Sequence, residues 1–320
     1  MRMVFRADAS VNSGSGHVMR ISVLAEEAVA RGYECIFIGK IEGLDWVRTR
    51  IWGLGFIQIY EDESSFSSDS ISDILVLDSY FLSIDSKFLD QANWRMILVI
   101  KDSKTPNYRA SIQLLPLLNA PTVQLSEDSL TGPDYILIRK GIEKNNREIH
   151  LSRKPSILVV GGGSDPNGFV KAIATVFQNM EITNQIHYFS SEELILSRGR
   201  NCFVHSPGPQ LDEISLQVDL VLTTASTSCL EFIAQEIPAG IACAIDNQVE
   251  TYEHLGSLGL AKQIGYFNSQ GEWIFDLAEM KSLVSGGKTL QNLRNRVQGL
   301  IDFKGASRVL DKIELFVSKE

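Results

Sequence analysis

The chain is short of cysteine, of positive charge and of long apolar stretches, and each shortage removes a class of protein. Four cysteines stand in 320 residues, Cys35, Cys202, Cys229 and Cys243, with no CxxC pair among them. No disulfide framework is available, and the cysteines read as reduced core residues. No apolar run reaches the ~18 residues of a membrane span, and the amino terminus has no charged region leading into an apolar cleavage segment. A cytoplasmic protein without a membrane span is expected. Lysine and arginine number 30 against 39 aspartates and glutamates, a net charge of −9. That balance argues against nucleic acid as a partner, so any phosphate has to be held locally by backbone amides or single side chains. There is no repeat at a period of ~20–50 residues. Low complexity is confined to a serine-rich loop at 64–72.

What remains is an ordinary globular composition, 44% hydrophobic and 22% charged. The length suffices for two domains of ~150 residues, each with its own core. Apolar runs at 35–38, 74–77, 96–100 and 112–118 alternate with polar or helix-like stretches, the pattern of a parallel sheet wrapped by helices. They make residues 1–145 one Rossmann-like domain. Residues 139–155 turn polar and charged and read as a linker. Strands at 157–160, 186–189, 219–222 and 240–245 make residues 155–275 a second such domain. Helix-spaced apolar residues from Leu290 to Phe316 predict a closing helix pair within 276–320. The fold class is α/β with two Rossmann-like domains, an arrangement that normally holds its ligand in the crevice between them, at the carboxyl ends of the strands.

The chemistry concentrates in Arg6-Ala-Asp8-Ala-Ser10-Val-Asn-Ser-Gly14-Ser-Gly16-His17-Val-Met-Arg20. Met3-Val4-Phe5 before it reads as a buried strand, and Val18, Ile21, Leu24, Ala25 and Ala28 recur at helical spacing from 17 to 31. Strand, tight turn and helix follow in order, with a histidine in the first helical turn. Gly14 and Gly16 permit positive φ and a close approach of backbone to a ligand, and the unpaired N–H groups of a helix start favour an anionic or oxygen-rich one. The same partial positive charge disfavours imidazolium, which suits His17 to accept a proton as a general base. A glycine-rich turn alone serves strand–helix packing as readily as ligand binding. The histidine directly after it is what points to chemistry.

In the second half, strand 157–160 runs into Gly161-Gly162-Gly163-Ser164-Asp165-Pro166-Asn167, where bare backbone either meets a phosphate or makes a strand-end turn with an Asx bend. Strand 219–222 leads into Thr223-Thr224-Ala225-Ser226-Thr227-Ser228, whose hydroxyls either cap the next helix or bind a ligand. Glu231, one turn inside that helix, has the two acceptor oxygens that suit a ribose diol. Strand 240–245 is followed by Asp246-Asn247-Gln248, whose amides can donate to or accept from sugar substituents. Three consecutive strand ends of this kind together read as a nucleotide site. Other conspicuous residues default to structure: His150, His187 and His205 as isolated surface or edge residues, Trp46, Trp52, Trp94 and Trp273 as packing.

From Phe5 to about Gly265 these residues resemble the UDP-2,4-diacetamido-2,4,6-trideoxy-β-L-altropyranose hydrolases of pseudaminic acid biosynthesis. The resemblance rests on F-R-A-D-A-S at 5–10 and G-S-G-H-V-M-R at 14–20. It is supported by Asp78-x-Tyr80, Tyr135-Ile-Leu-Ile-Arg139, the 161–167 loop, Glu231, Asp246-Asn247-Gln248 and the later Gly259. It implies a GT-B fold, no cofactor and no catalytic metal. It also implies His17 as catalytic base, with Tyr80 and Asn247 in the sugar pocket and Arg139, Glu231 and Gln248 on the nucleotide or adjacent sugar groups. Arg6, Asp8, Gly14, Gly16 and Arg20, and in the second half Gly162, Gly163, Ser164, Ser226, Thr227 and Ser228, complete the expected binding residues. The chain departs from the family where Asp78-Ser79-Tyr80 stands for Asp-His-Tyr and Lys101-Asp102 for an Asp-Asp pair. The small glycine pair often found near 223–228 is also absent.

The expected activity is hydrolysis of a nucleotide-activated amino- or deoxysugar, UDP-linked first and CMP-linked second, by a monomer with no nucleic acid partner. A base that activates water equally activates an alcohol, so transfer of the sugar to an acceptor in surface polysaccharide synthesis is the alternative. A third reading is a nucleotide-sugar binder without turnover.

Overall fold

The computed structural model describes residues 1–11, 13–67, 73–102, 104–118, 129–150, 152–163, 165–194 and 201–319. They make two compact units, Met1–Lys140 with Asp302–Glu320, and Gly141–Ile301.

The first unit contains β1 (Arg2–Ala7), β2 (Ala9–Ser10), α1 (Gly16–Ala30), β3 (Glu34–Ile38), β4 (Ile41–Glu42), α2 (Asp45–Trp52), β5 (Gln58–Tyr60), β6 (Ile74–Asp78), β7 (Met96–Ile100), β8 (Ile112–Leu115) and β9 (Ser129–Thr131). Strands β2 and β4 pair with each other; the rest form one parallel sheet of order β5-β3-β1-β6-β7-β8-β9. Neighbouring residues of a strand enter different cores. Met3 and Phe5 pack with Val18, Ile21 and Leu24 of α1, whereas Val4 packs with Ile36, Ile38, Leu75 and Leu77. Burial on both faces is why these strands read as unbroken apolar runs.

The second unit contains β10 (Ile157–Val160), α3 (Phe169–Asn179), β11 (Ile186–Phe189), β12 (Cys202–His205), α4 (Gln210–Ser215), β13 (Leu220–Thr224), α5 (Thr227–Ala234), β14 (Ala239–Cys243), α6 (Val249–Ser257), β15 (Lys262–Phe267), β16 (Trp273–Phe275), α7 (Leu277–Ser285) and α8 (Lys288–Val297). Its sheet runs β12-β11-β10-β13-β14-β15-β16, parallel except for β16. In both units the chain fills one side of the sheet and then returns, so that β6 lands beside β1 and β13 beside β10. A crevice opens outside the carboxyl ends of the strands at such a reversal. The Gly14–His17 turn and the 161–167 and 223–228 loops all leave their sheets there.

The polar segment read as a linker is bound to the second unit. Asn145 is 2% exposed, and its side-chain amide donates to the carbonyls of Ser215 (3.0 Å) and Val218 (2.9 Å). Arg294 donates to the carbonyls of Asn145 and Arg147. Its polarity thus satisfies buried backbone groups.

Within 276–320 the described residues form three helices rather than a pair. Helices α7 and α8 stay with the second unit, and α9 (Gly305–Val317) joins the first. Val309, Leu310, Ile313 and Val317 enter the core that holds α1. Arg31, at the end of α1, donates to the Ser307 carbonyl (2.9 Å) and pairs with Asp311 (2.7 Å). The helix starts against backbone: a Cβ on Gly305 would stand 2.1 Å from the Ile136 carbonyl oxygen.

Two side-chain expectations are corrected. His187 and His205 are not isolated but partners on adjacent strands, stacked at 5.2 Å with a 3.0 Å nitrogen–nitrogen contact. Trp94 is buried and Trp273 stacks on Phe275, but Trp46 and Trp52 remain 37% and 66% exposed. The four cysteines are free, and burial pushes the Cys35 and Cys229 thiols up to about 12. Among the described residues no helix is long and apolar enough to cross a membrane.

Candidate functional site

His17 is the second residue of α1 and is 5% exposed. Asp78 ends β6, in register with Ala7 at the end of β1, and is fully buried. Helix start and strand end meet there, with His17 Nδ1 2.5 Å from Asp78 Oδ1. Arg20 lies three residues along α1 and so on the same face. Its Nε donates to Asp78 Oδ2 and its Nη2 to Oδ1, both at 2.8 Å. Nη2 also stands 3.2 Å from His17 Nδ1. Asp78 is nearer to each, and a guanidinium has no lone pair to offer, so the carboxylate is the acceptor for both. His17 Nδ1 therefore carries the hydrogen, and Nε2 keeps the lone pair that takes a proton. A buried carboxylate in this position holds the imidazole orientation and stabilises the imidazolium once formed.

Asp102, just after β7, adds a second acid. Its Oδ2 lies 3.4 Å from Arg20 Nη2 and accepts the Tyr80 hydroxyl at 2.5 Å. The Tyr80 ring meets His17 edge to face at 4.3 Å. Burial alone would lower the pKa of Arg20, but Asp78 and Asp102 raise it above its ordinary value. Burial would likewise raise the Asp102 carboxyl, yet Arg20 and the Tyr80 hydroxyl hold it below the usual carboxylate range. One cation thus faces two anions, and a proton arriving on His17 brings the cluster to balance. Ser79 Oγ accepts the N–H of Phe81 at 3.2 Å, so this departure from the family pattern braces the turn that carries Tyr80. Among the residues named from sequence, the structure brings His17, Arg20 and Tyr80 together. Asp78 and Asp102 were not among the residues expected to act. Their signal is an acid at the carboxyl end of an apolar strand run, ILVLD and VIKD.

Arg6 and Asp8 form a neighbouring group. Arg6 Nη1 lies 2.7 Å from Asp8 Oδ2, and Nε pairs with Glu63. With Ser10, Ser13, Lys40 and Phe81 they line a cavity of about 540 Å³. The Phe81 ring lies 6.3 Å from that of Tyr80, so the cavity adjoins the base. Gly14 has φ +80°, and its N–H closes a turn onto the Ser10 carbonyl at 2.8 Å. Gly16 needs no positive φ, because it is simply the first residue of α1. Arg139 stands one residue before the end of the unit's first segment.

In the second unit the 161–167 loop departs from the expected phosphate cradle. Asp165, at φ +45°, lays its carboxyl over Gly161, where a Cβ would come within 1.8 Å of Oδ1. Its Oδ2 accepts the N–H of Val170 in the first turn of α3 at 3.3 Å. The helix start that sequence offered to a phosphate is occupied by the chain's own carboxyl, which burial pushes up to about 6. Ser164 lies outside the described residues.

Helix α5 is different. Ser226, its N-cap, makes no side-chain cap bond, and Ser226 Oγ is buried without a hydrogen-bond partner among the described residues. Thr227 and Ser228 form the first turn. A Cβ on Gly162, at φ +84°, would stand 3.0 Å from Ser226 Oγ and 3.4 Å from Thr224 Oγ1. The absence of that carbon leaves bare backbone at Gly162 and Gly163 beside the start of α5, the arrangement that accommodates an anion. Glu231 is half-buried further along α5. After β14, Asn247 Oδ1 is buried without a partner among the described residues, and such an atom is what a ligand donor satisfies. Gln248 also has a structural part, because its Oε1 accepts the Ala244 N–H at 2.9 Å and braces the loop. Its amide nitrogen and the second lone pair of Oε1 remain to meet a ligand.

No family model matches the chain. A UDP-2,4-diacetamido-2,4,6-trideoxy-β-L-altropyranose hydrolase from Campylobacter jejuni is 24% identical over 193 residues, which is 57% of this chain and 68% of that one. The resemblance carried by the motifs is thus found independently. Among solved structures, the spinosyn forosaminyltransferase SpnP matches with a TM-score of 0.66 at 10% identity, over 99% of both chains. S. aureus MnaA, in a co-structure with UDP, matches with a TM-score of 0.63 at 12% identity, over 99% of this chain and 97% of that one. Likeness at such identities is likeness of fold. The chain has the GT-B fold.

Proposed function

We propose that the protein acts on a nucleotide sugar, and that it hydrolyses it, with water displacing UDP at the anomeric carbon of an amino- or deoxysugar with inversion. The observation that carries this reading is the His17 imidazole locked by Asp78 and Arg20. The similarity to a hydrolase acting on a UDP-linked diacetamido sugar supports it, and supports UDP over CMP.

His17 Nε2 takes a proton from water as the water oxygen bonds to the anomeric carbon on the face away from the leaving group. The bond from that carbon to the β-phosphate oxygen breaks, and its electron pair departs with UDP. Asp78 stabilises the imidazolium. The first turn of α5, with Ser226, Thr227 and Ser228 and the bare backbone at Gly162, meets the charge that grows on the diphosphate. Glu231 accepts from the ribose, Arg139 contributes to the nucleotide, and Tyr80 and Asn247 hold the sugar.

The test is product analysis in plain buffer with UDP-linked sugars and no acceptor. UDP and free sugar are expected in equal amounts, with the anomer first formed inverted by NMR. His17→Asn is expected to lose on the order of 10² or more in turnover, while UDP still raises the melting temperature. Absence of both turnover and stabilisation by UDP defeats the proposal. The second reading is transfer to an acceptor hydroxyl, favoured by the cavity beside Tyr80, which has room for another ring. It requires that UDP release depend on an added acceptor.

A further inference from the structure

The charges around the cavity next to the base do not cancel. The charge of Arg6 is matched by Asp8 and Glu63, and that of Lys40 by Glu42 at 2.5 Å. Glu61 and Asp62 also line the space; among the described residues neither forms an ion pair within 4 Å, and each feels a cation only at longer range, Glu61 that of Lys40 and Asp62 that of Arg6. Asp62 accepts the Ser64 hydroxyl at 2.5 Å and the Ser64 N–H at 2.9 Å, both neutral donors. Its carboxyl stays below the ordinary range chiefly because of those bonds, with a smaller contribution from the Ser65 N–H and the more distant Arg6 charge.

A buried donor lies in the same lining. The Arg6 side chain is 8% exposed, and its Nη1, although 2.7 Å from Asp8 Oδ2, is not aligned for a hydrogen bond to any described acceptor. Ser10 and Ser13 hydroxyls, 2.9 Å apart, can donate or accept. Phe81, 71% exposed, offers an apolar face. A sugar ring matches this combination: an oxygen for Arg6, donors for the carboxylates and a C–H face for Phe81.

We infer that this cavity binds a sugar ring and selects one bearing an ammonium group over one bearing a carboxylate. The ring chemistry rests on the nucleotide-sugar reading, whereas the charge preference follows from Glu61 and Asp62. The ring belongs to the substrate's own sugar or to an acceptor, and both present the same groups.

The 320-residue protein is titrated with glucosamine, N-acetylglucosamine and glucuronate, followed by ligand-observed NMR. Glucosamine is expected to bind about tenfold more tightly than N-acetylglucosamine, about threefold for each exposed carboxylate, with the margin shrinking at high salt. Glucuronate is expected not to bind. The Glu61→Gln/Asp62→Asn double variant should lose the margin and Glu61→Gln about half of it on a logarithmic scale, with the UDP-induced thermal shift intact in both as proof of folding. Equal binding of glucuronate, a margin that survives the double variant, or no ring binding overturns the inference. Failure of UDP to stabilise the wild type defeats the nucleotide-sugar reading instead. During turnover of a UDP-linked sugar, competitive inhibition by glucosamine marks the substrate's own subsite, and a disaccharide product marks an acceptor subsite.

Discussion

Arg20 grips Asp78 with two hydrogen bonds of 2.8 Å, one to each carboxylate oxygen, and the same carboxylate then meets His17 at 2.5 Å. Two side chains from one helical turn thus converge on one acid at the end of a neighbouring strand. A fork of this kind fixes the direction of the carboxylate as well as its charge.

Asp78→Asn separates those two effects. The amide keeps the volume but can turn its NH₂ toward Nδ1, which would place the imidazole hydrogen on Nε2 and abolish the base. Turnover is expected to fall on the order of 10³, with KM changed by less than about threefold. Arg20 would lose its nearer anion while staying largely buried, so unfolding by denaturant should show a loss of roughly 3 kcal/mol. A variant that retains more than a tenth of wild-type turnover would remove Asp78 from the proposed mechanism.

Gly162→Ala tests the anion site without touching the base. The new Cβ would press on Ser226 Oγ at 3.0 Å. UDP affinity, measured by calorimetry, is expected to drop by about tenfold or more, equivalent to ~1.4 kcal/mol. Gly132→Ala is the control, because Gly132 also has positive φ, +94°, but its added Cβ would meet nothing within 4 Å among the described residues. It should show the backbone strain alone, about 1 kcal/mol of stability, and leave UDP binding unchanged. Equal effects of the two variants on UDP would mean that strain, not the α5 start, explains the loss.

Much of the architecture was legible because buried parallel strands write themselves as apolar runs. CIFI, ILVL and MILVI each sit inside a strand covered on both faces. Strand β12 was missed because it is an edge, with Phe203 and Val204 47% and 48% exposed, so no apolar run marks it. The short β5 and β9 and the β15–β16 pair, where Gly265 has φ +157°, gave no periodic signal either. At the site, the Gly-x-Gly-His stretch was readable because strand, turn and helix are contiguous. Asp78 meets His17 across 61 residues, and only the sheet order joins them. Asp165 misled for a related reason: sequence shows a loop able to bind phosphate, but not that its own carboxyl takes the Val170 N–H.

That carboxyl makes stability depend on pH. Burial raises the Asp165 pKa to about 6 in the folded chain, against about 4 when unfolded. Between those values the folded state holds a proton that the unfolded chain has released, so this group's contribution to stability falls as pH rises from about 4 to about 6 and stays low above that. Asp165→Asn keeps an oxygen for Val170 and removes the charge. It should stabilise the protein by on the order of 1–2 kcal/mol at pH 7.5 and by little at pH 4, as read from denaturant midpoints at the two values. Destabilisation at pH 7.5 would contradict this account.

Helix α9 supplies the last prediction, because a segment from the end of the chain completes the core of the first unit. Val309, Leu310, Ile313 and Val317 are at most 7% exposed in that core, and their removal would bare the apolar surface of α1. Burying a side chain of this size contributes roughly 1.5–3 kcal/mol, so four together approach the whole stability of an ordinary domain of this length. Residues 1–140 expressed alone should therefore be poorly folded, with weak near-ultraviolet dichroism. The same segment supplied with a 302–320 peptide should regain a cooperative melt, at a peptide concentration that sets the midpoint. Residues 141–301 carry their own helices α7 and α8 and should fold without help. If 1–140 melts cooperatively on its own, α9 is an accessory to a core that is already complete, and the division of the closing helices between the two units has little energetic meaning.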